Sequence, residues 1–236
     1  MTLLLVSPKD VAEALVAVRG GADIIDVKNP IEGSLGANFP WVISQIRQGT
    51  PSNIPISAAI GDFPDLPGSA ALAAFGAVEA GADIIKIGLK GVKNEGSATF
   101  LMKQVVMAVK NKHNRAKIVA CLYGDSQRAG TINPTTIPRI THNAGADIAM
   151  LDTAIKDGTP LTAFMDEEKL RDLINQSRSF GLDISLAGCL GVNEIIELKE
   201  LDPDVIGVRG VVCKDGAREG MITEKLVRRV KNILVV

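Results

Sequence analysis

Histidine and cysteine are scarce here, and their scarcity removes whole classes of chemistry. Only His113 and His142 occur, with no H-x-H or HExxH spacing, so no metal site is expected. The three cysteines, Cys121, Cys189 and Cys213, are odd in number and far apart, which gives neither a disulfide framework nor a CxxC pair. They read as buried apolar residues. A surplus of either charge is also missing: the formal net charge is −1, which argues against a nucleic-acid surface. One basic run, Lys110, Lys112, His113, Arg115 and Lys117, falls where a helix ends and complements its dipole. No segment approaches the roughly 20 apolar residues that a membrane span needs. The apolar start, Met1 to Val6, is short and has no basic lead, so it reads as a first strand rather than a signal peptide. A cytoplasmic protein with no nucleic-acid or membrane partner is expected.

What is present is an ordinary globular composition with an internal repeat. The 236 residues, 46% hydrophobic and 22% charged, suit a single domain spanning 1–236. Gly21-Ala22-Asp23-Ile24-Ile25, Gly81-Ala82-Asp83-Ile84-Ile85 and Gly145-Ala146-Asp147-Ile148 recur about every 60 residues, and Asp202-Pro203-Asp204-Val205-Ile206 follows them. In each, a helical stretch ends, glycine supplies a left-handed cap, and an apolar strand begins after the acid. Sixty residues is about two βα units. Strands are expected near 3–7, 24–28, 55–60, 84–88, 118–123, 148–152, 183–187 and 205–209. Helices are expected near 9–20, 40–48, 68–80, 97–113, 135–144, 166–180, 192–199 and 222–233. Eightfold alternation favours a closed (β/α)₈ TIM barrel. The runner-up, a doubly wound open sheet, usually carries GxGxxG after its first strand, where Ser7-Pro8-Lys9-Asp10 stands here.

Catalytic groups of such a barrel sit at the C-terminal ends of its strands. The period of two puts Asp26 and Lys28 of strand 2 inside, with Ile25 and Val27 facing the helices. Lys86 of strand 4 points in likewise. Strand 6 brings Asp152 to the same rim, followed by Lys156. An unpaired ammonium in a barrel core costs several kcal/mol, so two lysines beside two carboxylates need a reason. One reading is a structural ion-pair network; the other is amine catalysis. A free lysine of pKa ~10.4 is neutral to about one part in a few thousand at pH 7, and desolvation beside a second cation brings it toward ~7–8. The neutral amine attacks a ketone or aldehyde, and the resulting iminium yields an enamine nucleophile. Lys86, Asp152 and Asp26 are then candidate proton carriers.

Strands 7 and 8 end in Ser185-Leu186-Ala187-Gly188 and Gly207-Val208-Arg209-Gly210. Ser185, Gly188, Gly207, Arg209 and Gly210 are the candidate phosphate site, because many barrels bind phosphate there on exposed backbone N–H groups. Arg209 is equally readable as an internal ion-pair partner. The long loops Asn29–Asn38, Gly61–Pro67 and Thr153–Met165 read as a lid or as ordinary surface. Homo-oligomers are expected, with the apolar tail Ile233-Leu234-Val235-Val236 an interface or simply a helix end.

The segment Asp26-Val27-Lys28-Asn29-Pro30-Ile31-Glu32-Gly33-Ser34-Leu35-Gly36-Ala37 is more specific than any barrel pattern. Together with Ile84-Ile85-Lys86-Ile87-Gly88 and Met150-Leu151-Asp152-Thr153-Ala154-Ile155-Lys156, it closely resembles the (5-formylfuran-3-yl)methyl phosphate synthase family of methanofuran biosynthesis. The resemblance runs along the whole chain. It implies a cofactor-free lyase that condenses two molecules of the triose phosphate glyceraldehyde 3-phosphate into a furan aldehyde phosphate, releasing phosphate and water. It further implies Lys28 as the Schiff-base lysine and Lys86 as proton acceptor, with Asp26, Asp152 and Lys156 at other active-site positions. The residues alone support an amine-catalysed barrel acting on a phosphorylated carbonyl compound. Another Schiff-base aldolase or transaldolase, or a phosphate-binding barrel without turnover, are the alternatives.

Overall fold

The Gly-Ala-Asp repeats are joints at the base of a closed barrel. The computed structural model describes residues 1–235. Eight parallel strands, β1 (Leu3–Val6), β2 (Ile24–Val27), β3 (Ile56–Pro64), β4 (Ile84–Gly91), β5 (Lys117–Tyr123), β6 (Ile148–Asp152), β7 (Asp183–Leu186) and β8 (Val205–Val208), pair in sequential order, and β8 closes on β1. Gly21, Gly81 and Gly145 have φ of +94°, +106° and +72°, the left-handed turn that ends each preceding helix. Each acid that follows reaches across to the strand before its own. Asp23 accepts from the Leu4 N–H (2.7 Å), Asp83 from Ile56 (2.9 Å), Asp147 from Ile118 (2.7 Å) and Asp204 from Ile184 (2.8 Å). The acid thus occupies a donor that would otherwise be left open at the strand's first turn. Lys231, Arg47 and Lys110 supply counter-ions to Asp23, Asp83 and Asp147.

The helices that cover the barrel are α1 (Val11–Arg19), α2 (Pro40–Gly49), α3 (Pro67–Glu79), α4 (Glu95–Lys110), α5 (Ser126–Ala129), α6 (Ile137–Ala144), α7 (Glu167–Ser179), α8 (Val192–Lys199) and α9 (Glu224–Val235). Asp10, Asn94 and Asp166 cap α1, α4 and α7 through side-chain oxygens. Ile25, Val27, Ile85 and Ile87 pack outward against this layer, as the period of two requires. Leu5, Ile24, Ile84, Val119, Ile148, Met150 and Val205 form the separate inner cluster. The described C-terminal end is helix, with Leu234 buried; Val236 lies outside the described residues. Among the described residues, no helix is long and apolar enough to cross a membrane.

Two features depart from the expected elements. β3 and β4 extend past their barrel residues to Pro64 and Gly91, through register shifts at Asp62, so most of the segment read as a loop after strand 3 is strand. A bulge re-aims a strand, and here Asp62 is the residue it re-aims. The short α5, closed by left-handed Gly130, was not expected; four residues are too few to show helical periodicity.

Candidate active site

Along the even strands the inward positions change character from base to rim. Ile24, Ile84, Ile148 and Val205 come first, then Asp26, Lys86, Met150 and Gly207, then Lys28, Gly88 and Asp152. The apolar layer fills the barrel, and the polar layers open into a cavity of about 510 Å³ at the C-terminal end. Lys28, Lys86, Asp152, Lys156, Gly188 and Arg218 are among its lining residues.

Five predicted residues meet there. Lys86 donates to Asp26 Oδ2 at 2.7 Å, and both are buried. Ser7 Oγ also donates to Oδ2, at 2.8 Å, while Asp26 Oδ1 is buried and has no partner among the described residues. Lys156 pairs with Asp152, which also accepts from the Thr153 N–H. Lys28 stands between these pairs without a carboxylate of its own; its Nζ donates to the Ser34 carbonyl at 3.3 Å.

Burial is the main force on all three central groups. It pulls the Lys28 ammonium down to about 7; Asp152 opposes this, Lys156 and Lys86 add to it, and Asp26 opposes it. Burial would raise the Asp26 carboxyl, yet Lys86 and Lys28, with hydrogen bonds from Lys86 and Ser7, hold it below the ordinary value. Asp152 is held low against burial in the same way, by Lys156, Lys28 and the Thr153 N–H. The arrangement therefore keeps two carboxylates charged and leaves one amine able to shed its proton near neutral pH. Competitive acylation read by mass spectrometry should find Lys28 half-reactive near pH 7, against about 10.4 for exposed lysines. Titration of Lys28 with the exposed set would contradict this account.

The predicted phosphate residues divide. Gly188, Arg209 and Gly210 line the cavity, as does Gly207 deeper in. Gly188 has φ +117°, and a Cβ on it would crowd the Thr153 backbone, so only glycine fits that turn. Ser185 lies below the cavity lining, buried, and its hydroxyl has no partner. Arg209, the residue after β8, has its guanidinium engaged by α1. There it pairs with Glu13 at 2.9 Å. The remaining N–H groups go to the carbonyls of Ser7 (2.5 Å), Arg218 (2.6 Å) and Gly220 (3.4 Å) and to the second Glu13 oxygen (3.5 Å). Of its two readings, the ion-pair partner is the one observed.

Four residues at the rim were not among the candidate site residues. Ser34 donates through Oγ to the Thr153 carbonyl (2.8 Å) and through its N–H to Asp62 (3.2 Å), tying the loop after β2 across the mouth. Tyr123 Oη donates to Asp62, and a Cβ on Gly88 would overlap both groups. Burial, with Cys121 and Asp62 nearby, pushes the Tyr123 hydroxyl up. The inward parity of strand 5 was a usable signal for Tyr123, but Asp62 gave none because the bulge hides its direction. Arg218, the fourth, sits in the loop before α9. Cys189 also departs from the buried reading: it is half-buried, lines the cavity and has φ +48°.

The family model described as 4-HFC-P synthase matches residues 4–231 of this chain. The (5-formylfuran-3-yl)methyl phosphate synthase of Methanocaldococcus jannaschii is 51% identical over 232 residues, covering 98% of this chain and 99% of that protein. The proteins of the same name from Methanococcus maripaludis strain S2 and Archaeoglobus fulgidus are 49% and 52% identical, covering 98% and 95% of this chain and 98% and 95% of their own. Among solved structures, KGPDC from Streptococcus mutans superposes with TM-score 0.66 at 17% identity, covering 99% of this chain and 97% of that one. A 3-hexulose-6-phosphate synthase superposes with TM-score 0.65 at 19% identity, over 98% and 99%. At such identities these two structures speak for the barrel alone.

Proposed function

The chain belongs to the 4-HFC-P synthase family, and from that premise we propose that it condenses two molecules of glyceraldehyde 3-phosphate into 4-(hydroxymethyl)-2-furancarboxaldehyde phosphate through a Schiff base on Lys28. The observation that carries the reading is the isolation of Lys28. Among the described residues it is the buried amine of the cavity that has no carboxylate within ion-pair distance, and burial above all holds it at the edge of deprotonation.

In the proposed sequence, one triose phosphate in its ketone form receives the Lys28 amine at its carbonyl carbon. Water leaves as the C=N bond forms. The iminium withdraws electrons from the adjacent C–H, whose proton passes to a side chain and leaves an enamine. That enamine carbon adds to the aldehyde of the second triose, and the new alkoxide takes a proton. Elimination of one phosphate, ring closure and loss of water then give the furan, and hydrolysis frees Lys28. Two C₃ sugar phosphates become one C₆ aldehyde phosphate with release of one phosphate and two waters, so no oxidant or cofactor is called for.

Lys86 carries the proton in this scheme. Its partner Asp26 balances the charge. Asp152 and Lys156 form the matching pair on the other side of Lys28 and serve the second proton transfer. Gly188 and Gly210 offer backbone N–H groups to a substrate phosphate.

Incubation with glyceraldehyde 3-phosphate alone tests the proposal. A near-ultraviolet chromophore should grow in step with released inorganic phosphate, because the furan aldehyde is conjugated. A new aldol without chromophore would instead assign the chain to simple aldolase chemistry, and absence of any product would remove the catalytic reading.

A further inference from the structure

Arg209 and Arg218 share one loop and have opposite duties. Arg209, locked to Glu13, holds the carbonyls of Arg218 and Gly220 and so fixes the backbone between β8 and α9. The Arg218 side chain leaves that anchored backbone in the other direction, into the wall of the cavity. There it is half-buried, and Nη2 donates to the Gly33 carbonyl at 2.6 Å. Among the described residues it has no carboxylate partner.

A guanidinium so placed has a full charge, spare donors and only a neutral acceptor. Burial already disfavours its charged form, with Asp152 and Cys189 acting the other way. Gly33 and Ser34 are adjacent, and their two carbonyls accept from Arg218 and Lys28. The loop after β2 thus occupies, with weak acceptors, the two cationic groups that an incoming phosphorylated carbonyl compound would use. A phosphate is the stronger acceptor and matches a guanidinium in geometry.

We propose that Arg218 receives a substrate phosphate, releasing the Gly33 carbonyl as it does so, while Arg209 only builds the loop that aims it. The inference rests on the Lys28 reading and adds to it the residue that selects phosphorylated over unphosphorylated carbonyl compounds.

The test uses Arg218→Gln, which keeps a polar amide but has no charge, and Arg218→Lys, which keeps charge without the fork. Borohydride-trapped adduct on Lys28 is measured by intact mass against glyceraldehyde 3-phosphate and against unphosphorylated glyceraldehyde. In Arg218→Gln the half-saturating concentration of the phosphorylated sugar should rise about 10- to 100-fold, the scale of one lost charged hydrogen-bonding partner. That for glyceraldehyde should stay within about twofold of wild type, and Arg218→Lys should fall between for the phosphorylated sugar. Equal losses for both sugars would make the residue a structural strap, and no loss for either would remove it from binding. Inorganic phosphate, followed by its shift of the melting temperature, reads the same contrast without any reaction at Lys28. A wild-type shift lost in Arg218→Gln upholds Arg218 even if no adduct is ever trapped, in which case it is the amine chemistry that falls.

Discussion

Lys28→Met is expected to abolish the borohydride-trapped adduct and to lower turnover on the order of 10⁴-fold or more, the scale of losing a covalent nucleophile. The same substitution should raise the melting temperature rather than lower it. Lys28 is held at about 7 in the folded chain against an ordinary 10.5. Between those values the unfolded chain keeps a proton that the folded chain lacks, so wild-type stability rises with pH across the window. Below about 7 both forms are protonated, and the full penalty of burying the ammonium is present. Methionine fills a similar volume without charge, and Asp152 keeps Lys156 as its cation. The variant should therefore gain most stability at acid pH and lose the wild-type slope between about 7 and 10.5. Thermal melts across pH, with mass spectrometry of the reduced adduct, check both halves. An adduct surviving in Lys28→Met, or turnover within tenfold of wild type, would move the chemistry to another residue.

Lys86→Met separates proton transfer from nucleophilic attack, and its cost is first structural. Asp26 would be left fully buried with Ser7 as its one hydrogen-bond donor. Removing one member of a buried pair costs about 3–5 kcal/mol, because the other charge stays behind. The double variant Asp26→Asn with Lys86→Met should recover much of that loss, since neither charge remains. Turnover should not return in it. A missing proton carrier accounts for about 10²–10⁴-fold, so both variants should trap adduct yet form little product. Without the Lys86 charge, and with Asp26 kept, Lys28 should also titrate above its present value, and trapping in the single variant should need a higher pH. Comparison of trapping and product release in the two variants decides the matter. If the double variant is no more stable than the single, or if either makes product at the wild-type rate, the pair has another purpose.

How much of this was legible beforehand follows from which interactions are local. The barrel was readable because strand, turn and helix signals are short-range. Gly21, Gly81 and Gly145 do adopt the left-handed turns their spacing suggested. The inward set was readable for the same reason: alternation along a strand sends Asp26, Lys28, Lys86 and Asp152 to one side. The reach of Asp23, Asp83, Asp147 and Asp204 back to the preceding strand was not readable. It depends on which strand lies beside which.

What the sequence left open clusters where regular structure stops. Arg209 had two readings, and the choice between them fell to a glutamate 196 positions earlier in the chain, which captures its guanidinium. Asp62 sits on a bulge that cancels the period. Arg218 lies in a loop with no periodicity, and Arg209 holds its backbone from behind.

By itself, then, the sequence determined the barrel and the identity of the charged layer, because backbone geometry enforces these residue by residue. The tertiary structure alone decided which cations are spent and which are free. Asp26 takes Lys86, Asp152 takes Lys156 and Glu13 takes Arg209, leaving Lys28 and Arg218 on backbone carbonyls. Pairing is a matter of distance through space, and distance between remote segments exists only once the barrel has closed.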